Sequence, residues 1–359
     1  MTRSPIRVLV VDDSAFMRRV LSKMLSVHGD IEVVATAMDG VFALDKLERV
    51  RPDVVTLDLE MPRMDGLTTL QRIVEDHQLP VILVSAHTSK GARETFEGLA
   101  AGAVDFVTKP ERVFTTPLDQ LGSSLAEKIR VAAKAKVSRP PDGTGERVRG
   151  NFSPARSSRM PAREVLAIAV STGGPNALSL LLAEIRSDFQ PGIVIVQHMP
   201  EGFTAQFAER LERLTAIGVR EASEGDVVTS GAALVAPGGR HMAVERSGGR
   251  LLVRLSRTDP VRGHRPSADV LFRSVAKAAG ARSIGMILTG MGEDGAEGMG
   301  AIQAAGGLTL AQDEASSVVY GTPRAAIERG FVQKVMPLSD MAAFLNALDT
   351  DQGGATWIA

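Results

Sequence analysis

The stretch Arg7-Val8-Leu9-Val10-Val11-Asp12-Asp13-Ser14 decides the fold of the first half of the chain. A continuous apolar run ends in two carboxylates and a serine, and an amphipathic stretch, Ala15–Val27, follows at once. Continuous apolar runs are typical of strands buried on both faces of a parallel sheet. Polar residues directly after such a strand mark the edge of the sheet where α/β proteins place their sites. The stretch therefore predicts the start of a βαβ unit.

The same pattern recurs along the first ~130 residues, as expected of a parallel sheet with alternating helices. Further strands are predicted at Ile31–Ala37, Val54–Leu57, Val81–Val84 and Val104–Thr108. Gly66–Glu75 is predicted to be helical, and the last helix is predicted to run from Pro117 to about Lys136.

A change of composition separates this half from the next. Val137 to Arg163 is rich in Pro, Gly, Ser and Arg and lacks an apolar period, so it is predicted to be a flexible, basic linker. A solvated tether is favoured over a nucleic-acid-binding arm. We expect a first domain over residues 6–125, the helix end and linker over 126–163, and a second domain over 164–350.

The second domain shows another α/β pattern. Strands are predicted at Val165–Val170, Ile193–Val196, Ala233–Ala236, Ser283–Leu288 and Leu308–Leu310, with a hairpin around Ser247-Gly248-Gly249. Helices are predicted at Ala177–Glu184, Thr204–Leu214, Ser267–Ala279, Ala296–Ala305 and Ser339–Leu348. The predicted fold class is α/β, with two doubly wound, mostly parallel-sheet domains, flavodoxin-like and Rossmann-like, joined by a flexible linker.

Composition narrows the class of protein. The net charge is −1 and only 4% of the 359 residues are aromatic, which argues against nucleic-acid binding. The absence of cysteine excludes disulfides and thiolate chemistry. No apolar run reaches the roughly 18 residues needed to span a bilayer, and Met1–Ser14 does not have the pattern of a signal peptide. We expect a cytoplasmic protein without membrane insertion.

Three carboxylates, those of Asp12, Asp13 and Asp58, follow the first and third strands and should meet at one edge. Such a cluster suits Mg²⁺, and Asp58 could then act as a carboxylate nucleophile that accepts a phosphoryl group. Ser85 and Lys109 also follow strands and could contact that group. Singly, each aspartate is better explained as a turn former or helix cap, but the ordered set is not.

These residues resemble those of two-component receiver domains over residues 6 to about 125. The matching motifs are Val10-Val11-Asp12-Asp13-Ser14, Leu57-Asp58-Leu59-Glu60-Met61-Pro62, Met64-Asp65-Gly66 and Thr108-Lys109-Pro110. The resemblance implies that Asp58 is phosphorylated by a histidine kinase and that Asp12, Asp13 and Asp58 hold the metal. It also implies that Ser85, Phe106 and Lys109 respond to phosphorylation.

Ser171 in the second domain follows a strand and precedes two glycines, a proline and a helix. Its hydroxyl would be exposed near a helix N-terminus, where N–H groups can stabilise an oxyanion. His198 and Asp294 follow other strands and could act as base and orienting acid. Taken singly, Ser171 could be a helix cap and His198 a loop histidine.

A rival interpretation rests on Gly290-Met291-Gly292-Glu293-Asp294-Gly295, which matches the G-x-G-x-x-G of dinucleotide-binding proteins, with Asp313 near the ribose-binding offset. Glu293 and Asp294 would place two negative charges where a pyrophosphate must lie, which disfavours it.

The whole chain resembles chemotaxis protein-glutamate methylesterases, in which a receiver precedes a serine-esterase domain. Six stretches match in order: Ser171–Pro175, Gln197–Phe203, Ala236–Met242, His264–Ser267, Leu288–Ala296 and Gln312–Ser316. The resemblance implies a Ser171, His198 and Asp294 triad, with Thr172 and Met291 near the oxyanion. It also implies methyl-accepting chemotaxis receptors as substrates, glutamine deamidation as a second activity, a chemotaxis histidine kinase as phosphodonor, and no cofactor for the esterase.

One residue departs from the pattern of this family, and one other function stays open. Thr322 stands where the family usually has methionine, which we expect to affect packing only. The open alternative is a regulatory binding module whose second domain has lost its activity.

Overall fold

The computed structural model describes residues 4–86, 88–109, 118–135 and 163–350. The chain divides into two compact units, Met1–Gly145 and Glu146–Ala359. The predicted linker lies almost entirely outside the described residues, as do Pro117 and Lys136, the predicted ends of the last helix of the first half. Within the described ranges, none of the helices combines the length and apolar character needed to cross a membrane.

In the described part of the first unit, five parallel strands form one sheet in the order β2-β1-β3-β4-β5. The strands are β1 (Ile6–Val11), β2 (Ile31–Ala37), β3 (Val54–Asp58), β4 (Val81–Ser85) and β5 (Asp105–Thr108). The helices are α1 (Ala15–Ser26), α2 (Gly40–Val50), α3 (Gly66–Arg72), α4 (Ser89–Ala100) and α5 (Leu118–Ala132), and a π-helical turn, Ile73–His77, continues α3. This is the flavodoxin-like order, in which a site forms between β1 and β3.

Several strand-end polar residues of this unit are helix caps. The side chains of Ser14, Asp39, Asp65 and Thr88 accept hydrogen bonds from the first turns of α1, α2, α3 and α4. Each satisfies a backbone N–H that the helix leaves without a partner. Asp12 and Asp58 are not N-caps of these helices, and both side chains are buried at the sheet edge.

In the second unit, seven of the described strands form a parallel sheet in the order β14-β13-β12-β6-β7-β9-β8. They are β6 (Val165–Val170), β7 (Gly192–Gln197), β8 (Gly218–Glu221), β9 (Ala232–Val235), β12 (Ser283–Ile287), β13 (Leu308–Gln312) and β14 (Lys334–Met336). The antiparallel hairpin contains β10 (His241–Ser247) and β11 (Arg250–Ser256). The helices are α6 (Gly174–Ala183), α7 (Phe203–Leu214), α8 (Ala268–Ala279), α9 (Ala296–Ala304), α10 (Thr322–Glu328) and α11 (Leu338–Thr350), with a 3₁₀ turn at Gly280–Arg282.

The fold class predicted from the sequence is confirmed: both units are α/β with parallel sheets. The sequence did not predict β8 and β14, the two edge strands, or α10. Edge strands are short and tolerate charged residues, and the sequences Gly-Val-Arg-Glu and Lys-Val-Met carry little apolar signal. The central strands β6, β7 and β12 are buried throughout, as their continuous apolar runs predict.

Candidate functional site

The first candidate site is an acidic cluster at the carboxyl edge of the first sheet. Asp12 and Asp58 are buried and Asp13 is exposed, and one ligand oxygen from each lies within 4.8 Å of the others. Lys109 Nζ lies 2.7 Å from Asp58 Oδ2 and 2.9 Å from Asp12 Oδ2. The topology therefore brings all four of these predicted site residues together.

Burial and neighbouring charges shift the pKa values of Asp58 and Lys109 in this cluster. The pKa of Asp58 is raised to about 6: burial is the largest cause, Lys109 opposes it, and the charge of Asp12 adds to it. The pKa of Lys109 is raised: burial lowers it, but the hydrogen bond to Asp58 and the charges of Asp58 and Asp12 outweigh that effect. One cation thus faces several carboxylates.

The arrangement fits a divalent cation. Asp12 Oδ2 is buried and accepts no hydrogen bond among the described residues, so its contact with Lys109 is ionic only. Hard cations such as Mg²⁺ prefer carboxylate oxygens and need few protein ligands. Asp12, Asp13 and Asp58 supply that donor set.

Ser85 and Phe106 lie on the neighbouring strands β4 and β5 and are both buried. The Ser85 hydroxyl donates a hydrogen bond to the carbonyl oxygen of Gly91 at 3.0 Å, in the first turn of α4. Among the described residues, no hydrogen bond joins Ser85 to Asp58. The two residues are placed where a change at Asp58 can reach α4, but they do not contact the carboxylate through hydrogen bonds here.

The second candidate site lies at the carboxyl edge of the second sheet. Ser171 follows β6, and its carbonyl oxygen accepts hydrogen bonds from the Gly174 N–H at 2.8 Å and from Gln197 Nε2 at 3.0 Å. The N-cap of α6 is Gly173, with a φ of +78°, so Ser171 does not serve as the cap. A Cβ at Gly174 would come within 2.1 Å of Gln197 Oε1. The two glycines therefore allow the tight turn that places Ser171 before α6.

His198 follows β7, the strand next to β6, and forms an ion-pair geometry with Asp294. Its Nε2 lies 2.8 Å from Asp294 Oδ2, and its buried Nδ1 has no hydrogen-bond partner in the described structure. Among the described residues, no hydrogen bond joins the Ser171 hydroxyl to His198. Hydrogen bonds between a nucleophile and its base are often long or poorly aligned before substrate binds. His198 and Asp294 are in contact, and Ser171 lies at the end of the adjacent strand.

Asp294 is buried and accepts hydrogen bonds at both oxygens. Oδ2 accepts from His198 Nε2 and from the Ala268 N–H at 2.7 Å, and Oδ1 accepts from the Ser267 hydroxyl at 2.7 Å and the Asp269 N–H at 3.3 Å. Burial raises its pKa, but the bonds from His198, Ser267 and Ala268 outweigh burial and lower the pKa overall. The carboxylate is therefore held ionised beside the imidazole.

A buried hydrogen-bond network supports the turn after β6. The Thr289 carbonyl accepts from the Ser171 N–H at 3.0 Å, and the Thr289 hydroxyl donates to the Thr172 carbonyl at 3.0 Å. Gln312 Oε1 in turn accepts from the Thr289 N–H at 2.8 Å. Thr289 thus ties the end of β12 to the nucleophile turn.

The loop after β12 approaches Ser171 closely. A Cβ at Gly290 would lie 2.8 Å from the Ser171 Cβ. Met291, which the resemblance predicts to lie near the oxyanion, follows Gly290 and is half-buried. The Thr322 hydroxyl donates to the Leu288 carbonyl at 3.0 Å. Thr322 therefore anchors this loop through a hydrogen bond, in addition to packing.

The dinucleotide interpretation of this loop finds no support in its geometry. Asp294 faces the N-terminus of α8, and Glu293 pairs with Arg329 at 2.6 Å. Asp313 Oδ1 accepts from the Ser316 N–H at 3.0 Å and so closes a turn. The three acidic residues are therefore engaged by protein groups.

Four residues of the site were not singled out from the sequence: Gln197, His241, Ser267 and Thr289. All four stand inside the matching stretches, and Gln197, a polar residue that ends a buried strand, could have been identified from its position. The parallel stacking of the His198 and His264 rings, with centroids 3.9 Å apart, was also not predicted. These contacts depend on loop paths that periodicity does not reveal.

Comparison with known families agrees with this geometry. The family described as CheB methylesterase matches residues 166–345, and the response regulator receiver domain matches residues 8–115. The chain is 52% identical to the protein-glutamate methylesterase/protein-glutamine glutaminase 2 of Koribacter versatilis over 350 residues, which cover 96% of each chain. It is 45% identical to the Salmonella typhi protein-glutamate methylesterase/protein-glutamine glutaminase over 339 residues, covering 94% of this chain and 95% of that one.

One solved structure is similar to the second unit. The Thermotoga maritima CheB methylesterase catalytic domain aligns with a TM-score of 0.51 and 34% identity. The alignment covers 52% of this chain and 100% of that one.

Proposed function

Because the chain belongs to the CheB methylesterase family and carries a receiver domain, we propose that it is a phosphorylation-activated protein-glutamate methylesterase that also deamidates protein glutamines. Relatives matched over nearly their whole length carry both names. The contact between His198 Nε2 and Asp294 Oδ2, at the sheet edge that also carries Ser171, is the observation that carries the proposal.

Hydrolysis follows the serine-esterase scheme. The Ser171 hydroxyl attacks the carbonyl carbon of a glutamate methyl ester and gives its proton to His198. Since Asp294 engages Nε2, Nδ1 is the nitrogen that takes the proton. The tetrahedral intermediate collapses, the methoxide leaving group takes that proton, and methanol departs. Water, deprotonated by the same nitrogen, then hydrolyses the acyl-enzyme.

Deamidation uses the same residues. With a glutamine side chain the leaving group is ammonia, and the acyl-enzyme on Ser171 is identical. The developing oxyanion lies near the N-terminus of α6, where Thr172 and the Met291 backbone are the nearby groups proposed to stabilise it.

Control lies in the receiver. Asp58 accepts a phosphoryl group from a chemotaxis histidine kinase, and Asp12, Asp13 and Asp58 hold Mg²⁺. When bound, Mg²⁺ neutralises charge on the phosphoryl group. Lys109 pairs with that charge, and Ser85 and Phe106 change position in response. These changes shift the receiver between its unphosphorylated and phosphorylated conformations.

The substrates are methyl-accepting chemotaxis receptors, and the enzyme works in the cytoplasm. The methylesterase names of the relatives and the receiver domain of this chain support this part of the proposal. The esterase chemistry assigned to Ser171, His198 and Asp294 uses no cofactor.

Methanol release from methylated receptor membranes tests the proposal. Release should rise when a small phosphodonor and Mg²⁺ are added, lose that rise in Asp58→Asn, and disappear in Ser171→Ala. Release that ignores the donor would keep the esterase and remove the switch. No release under either condition would favour a binding module without activity.

A further inference from the structure

The N-terminus of helix α8 is capped by Asp294, which lies outside the helix. The first N–H groups of a helix lack partners within it, and the N-cap side chain usually accepts from them. The N-cap of α8 is Ser267, but its hydroxyl makes no capping bond. The N–H groups of Ala268 and Asp269 instead bind the carboxylate of Asp294.

The hydroxyl of Ser267 also binds the carboxylate of Asp294. It donates to Asp294 Oδ1 at 2.7 Å and is completely buried. Hydrogen bonds to an ionised acceptor are shorter and stronger than neutral ones. The direction of the Asp294 carboxylate is therefore determined by the position of Ser267 and the two residues after it.

His241 determines the position of Ser267. Its Nδ1 lies 3.2 Å from the Ser267 nitrogen, and its Nε2 lies 3.0 Å from the carbonyl oxygen of Asp259. A carbonyl oxygen can only accept, so Nε2 carries the hydrogen and Nδ1 is free to accept the Ser267 N–H. His241 is 1% exposed, and both of its ring nitrogens are used.

The element that carries His241 is firmly held. His241 begins β10, whose Met242 and Val244 side chains are buried in the core of the unit. The Val244 N–H also donates to the hydroxyl of Ser274 on α8, at 2.9 Å. A packed hairpin thus fixes the ring of His241 relative to α8.

We propose that His241 and Ser267 are positioning residues of the esterase: they set the direction of the Asp294 carboxylate and, through it, the orientation of the His198 ring. The inference rests on the proposed function and adds two residues to its machinery. The path runs from His241 Nδ1 through the Ser267 backbone and hydroxyl to Asp294 Oδ1, and from Oδ2 to His198 Nε2.

Two isosteric substitutions separate this role from simple packing. In His241→Asn, the amide oxygen can take the place of Nδ1 and keep the acceptor for Ser267. In His241→Gln, the amide nitrogen can take the place of Nε2 and keep only the donor to Asp259. Ser267→Ala removes the hydroxyl, and Ser274→Ala is the matched control, since Ser274 ties β10 to α8 without contacting Asp294.

The full chain is assayed for methanol release from methylated receptor membranes with a phosphodonor. We expect kcat to fall about tenfold in His241→Gln and Ser267→Ala with KM unchanged, equal to about 1.4 kcal/mol of transition-state stabilisation. His241→Asn should keep kcat within about threefold, and Ser274→Ala should lower the melting temperature without lowering kcat. Equal losses in His241→Asn and His241→Gln, or a kcat loss in Ser274→Ala as large as in Ser267→Ala, would overturn the proposal.

A second measurement does not depend on activity. In ¹⁵N-labelled protein, the proton on His198 Nε2 that binds Asp294 should give the same signal in His241→Asn as in the unmutated chain and a shifted one in His241→Gln. An unchanged signal in His241→Gln would refute the inference. Failure of the unmutated chain to release methanol would count against the proposed function alone, because this signal would still report on positioning.

Discussion

Replacing Asp294 by asparagine tests the proposed triad, because the two carboxylate oxygens have different neighbours. Oδ2 accepts from His198 Nε2 and from the Ala268 N–H, and a backbone N–H cannot accept in return; Oδ1 accepts from the Ser267 hydroxyl and, at 3.3 Å, the Asp269 N–H. An asparagine amide has one accepting oxygen and one donating nitrogen. Its oxygen should therefore take the Oδ2 position, where it keeps two bonds, while the Ser267 hydroxyl rotates to accept from the amide nitrogen.

The stability cost follows from what this orientation loses. Only the long hydrogen bond from the Asp269 N–H is lost. An unsatisfied buried donor costs about 1–3 kcal/mol, and the loss of a long bond lies at the low end of that range. The negative charge at the N-terminus of α8 is also lost, about 0.3–1 kcal/mol. We expect Asp294→Asn to lower the free energy of unfolding by about 2 kcal/mol at pH 7.

This cost should depend on pH. Burial raises the pKa of Asp294, but hydrogen bonds from His198, Ser267 and Ala268 lower it overall, from an ordinary value of 3.8. A carboxyl with a lowered pKa stabilises the fold above its unfolded-state pKa and loses that effect as the pH falls through its folded-state pKa. The difference between the unmutated protein and Asp294→Asn should therefore be complete at neutral pH and shrink below pH 3.8.

The expected fall in kcat comes from the missing negative charge and not from a changed tautomer of His198. The oxygen that faces His198 remains an acceptor, so Nε2 keeps its hydrogen and Nδ1 stays available as the base. What disappears is the attraction between the carboxylate and the imidazolium, about 4 kcal/mol at ~4 Å and an effective dielectric constant of 20. This corresponds to a roughly thousandfold loss in kcat, somewhat less than the ~10⁴ observed in a protease where asparagine imposes the wrong tautomer.

Methanol release measures kcat, and denaturant unfolding at pH 7 and pH 3 measures stability. A kcat within tenfold of the unmutated enzyme at unchanged KM would refute Asp294 as the acid. A ¹⁵N spectrum with the His198 proton on Nδ1 would refute the predicted amide orientation.

Three further predictions concern other parts of the chain. Gly290→Ala should lower kcat at least tenfold, because its Cβ would lie 2.8 Å from the Ser171 Cβ and from the Thr322 hydroxyl; methanol release and a melting curve check this. Asp58→Asn should slow hydrogen exchange in the receiver sheet at pH 7.5 without Mg²⁺, which corresponds to a free energy of opening higher by up to about 3 kcal/mol. The reason is that burial raises the pKa of Asp58 to about 6, so the unmutated receiver loses stability as the pH rises from about 4 to 6; Mg²⁺ should remove the difference. Deleting residues 1 to about 150 should raise basal methanol release, since we expect the unphosphorylated receiver to restrain the esterase.

The positions of the candidate site residues were predictable where they depend on strand order. In a parallel sheet all strands end at one edge, so an apolar run followed by a polar residue places that residue at the site. Val11 pairs with Leu57, and Ser85 pairs with Thr108, which brings Asp12 beside Asp58 and Ser85 beside Lys109. Apolar runs suffice for this inference because β1, β3 and β4 are interior strands, and β5, although at the edge of the sheet, is mostly buried.

The supporting contacts could not be predicted in this way. His241 begins a hairpin strand outside the main sheet, and Ser267 lies in a loop, so neither belongs to a strand that ends at the site edge. Their meeting depends on side-chain hydrogen bonds between segments far apart in the chain. Periodicity contains no information about such pairs, and a serine before a helix is more simply explained as its cap.

Asp58 ends β3 and Asp294 lies in the loop after β12; both are buried, yet their surroundings move their pKa values in opposite directions. Burial raises the pKa of Asp58, and the hydrogen bond and charge of Lys109 do not offset it. Asp294 also loses water, but the N-terminus of α8, a hydroxyl and an imidazole supply four donors and lower its pKa. An unbalanced carboxylate suits a group that must bind a cation and accept a phosphoryl group, while a satisfied one suits a group that must stay ionised and unreacted beside a base. The different roles proposed for the two residues therefore follow from the groups that face each carboxylate, which a position after a strand cannot specify.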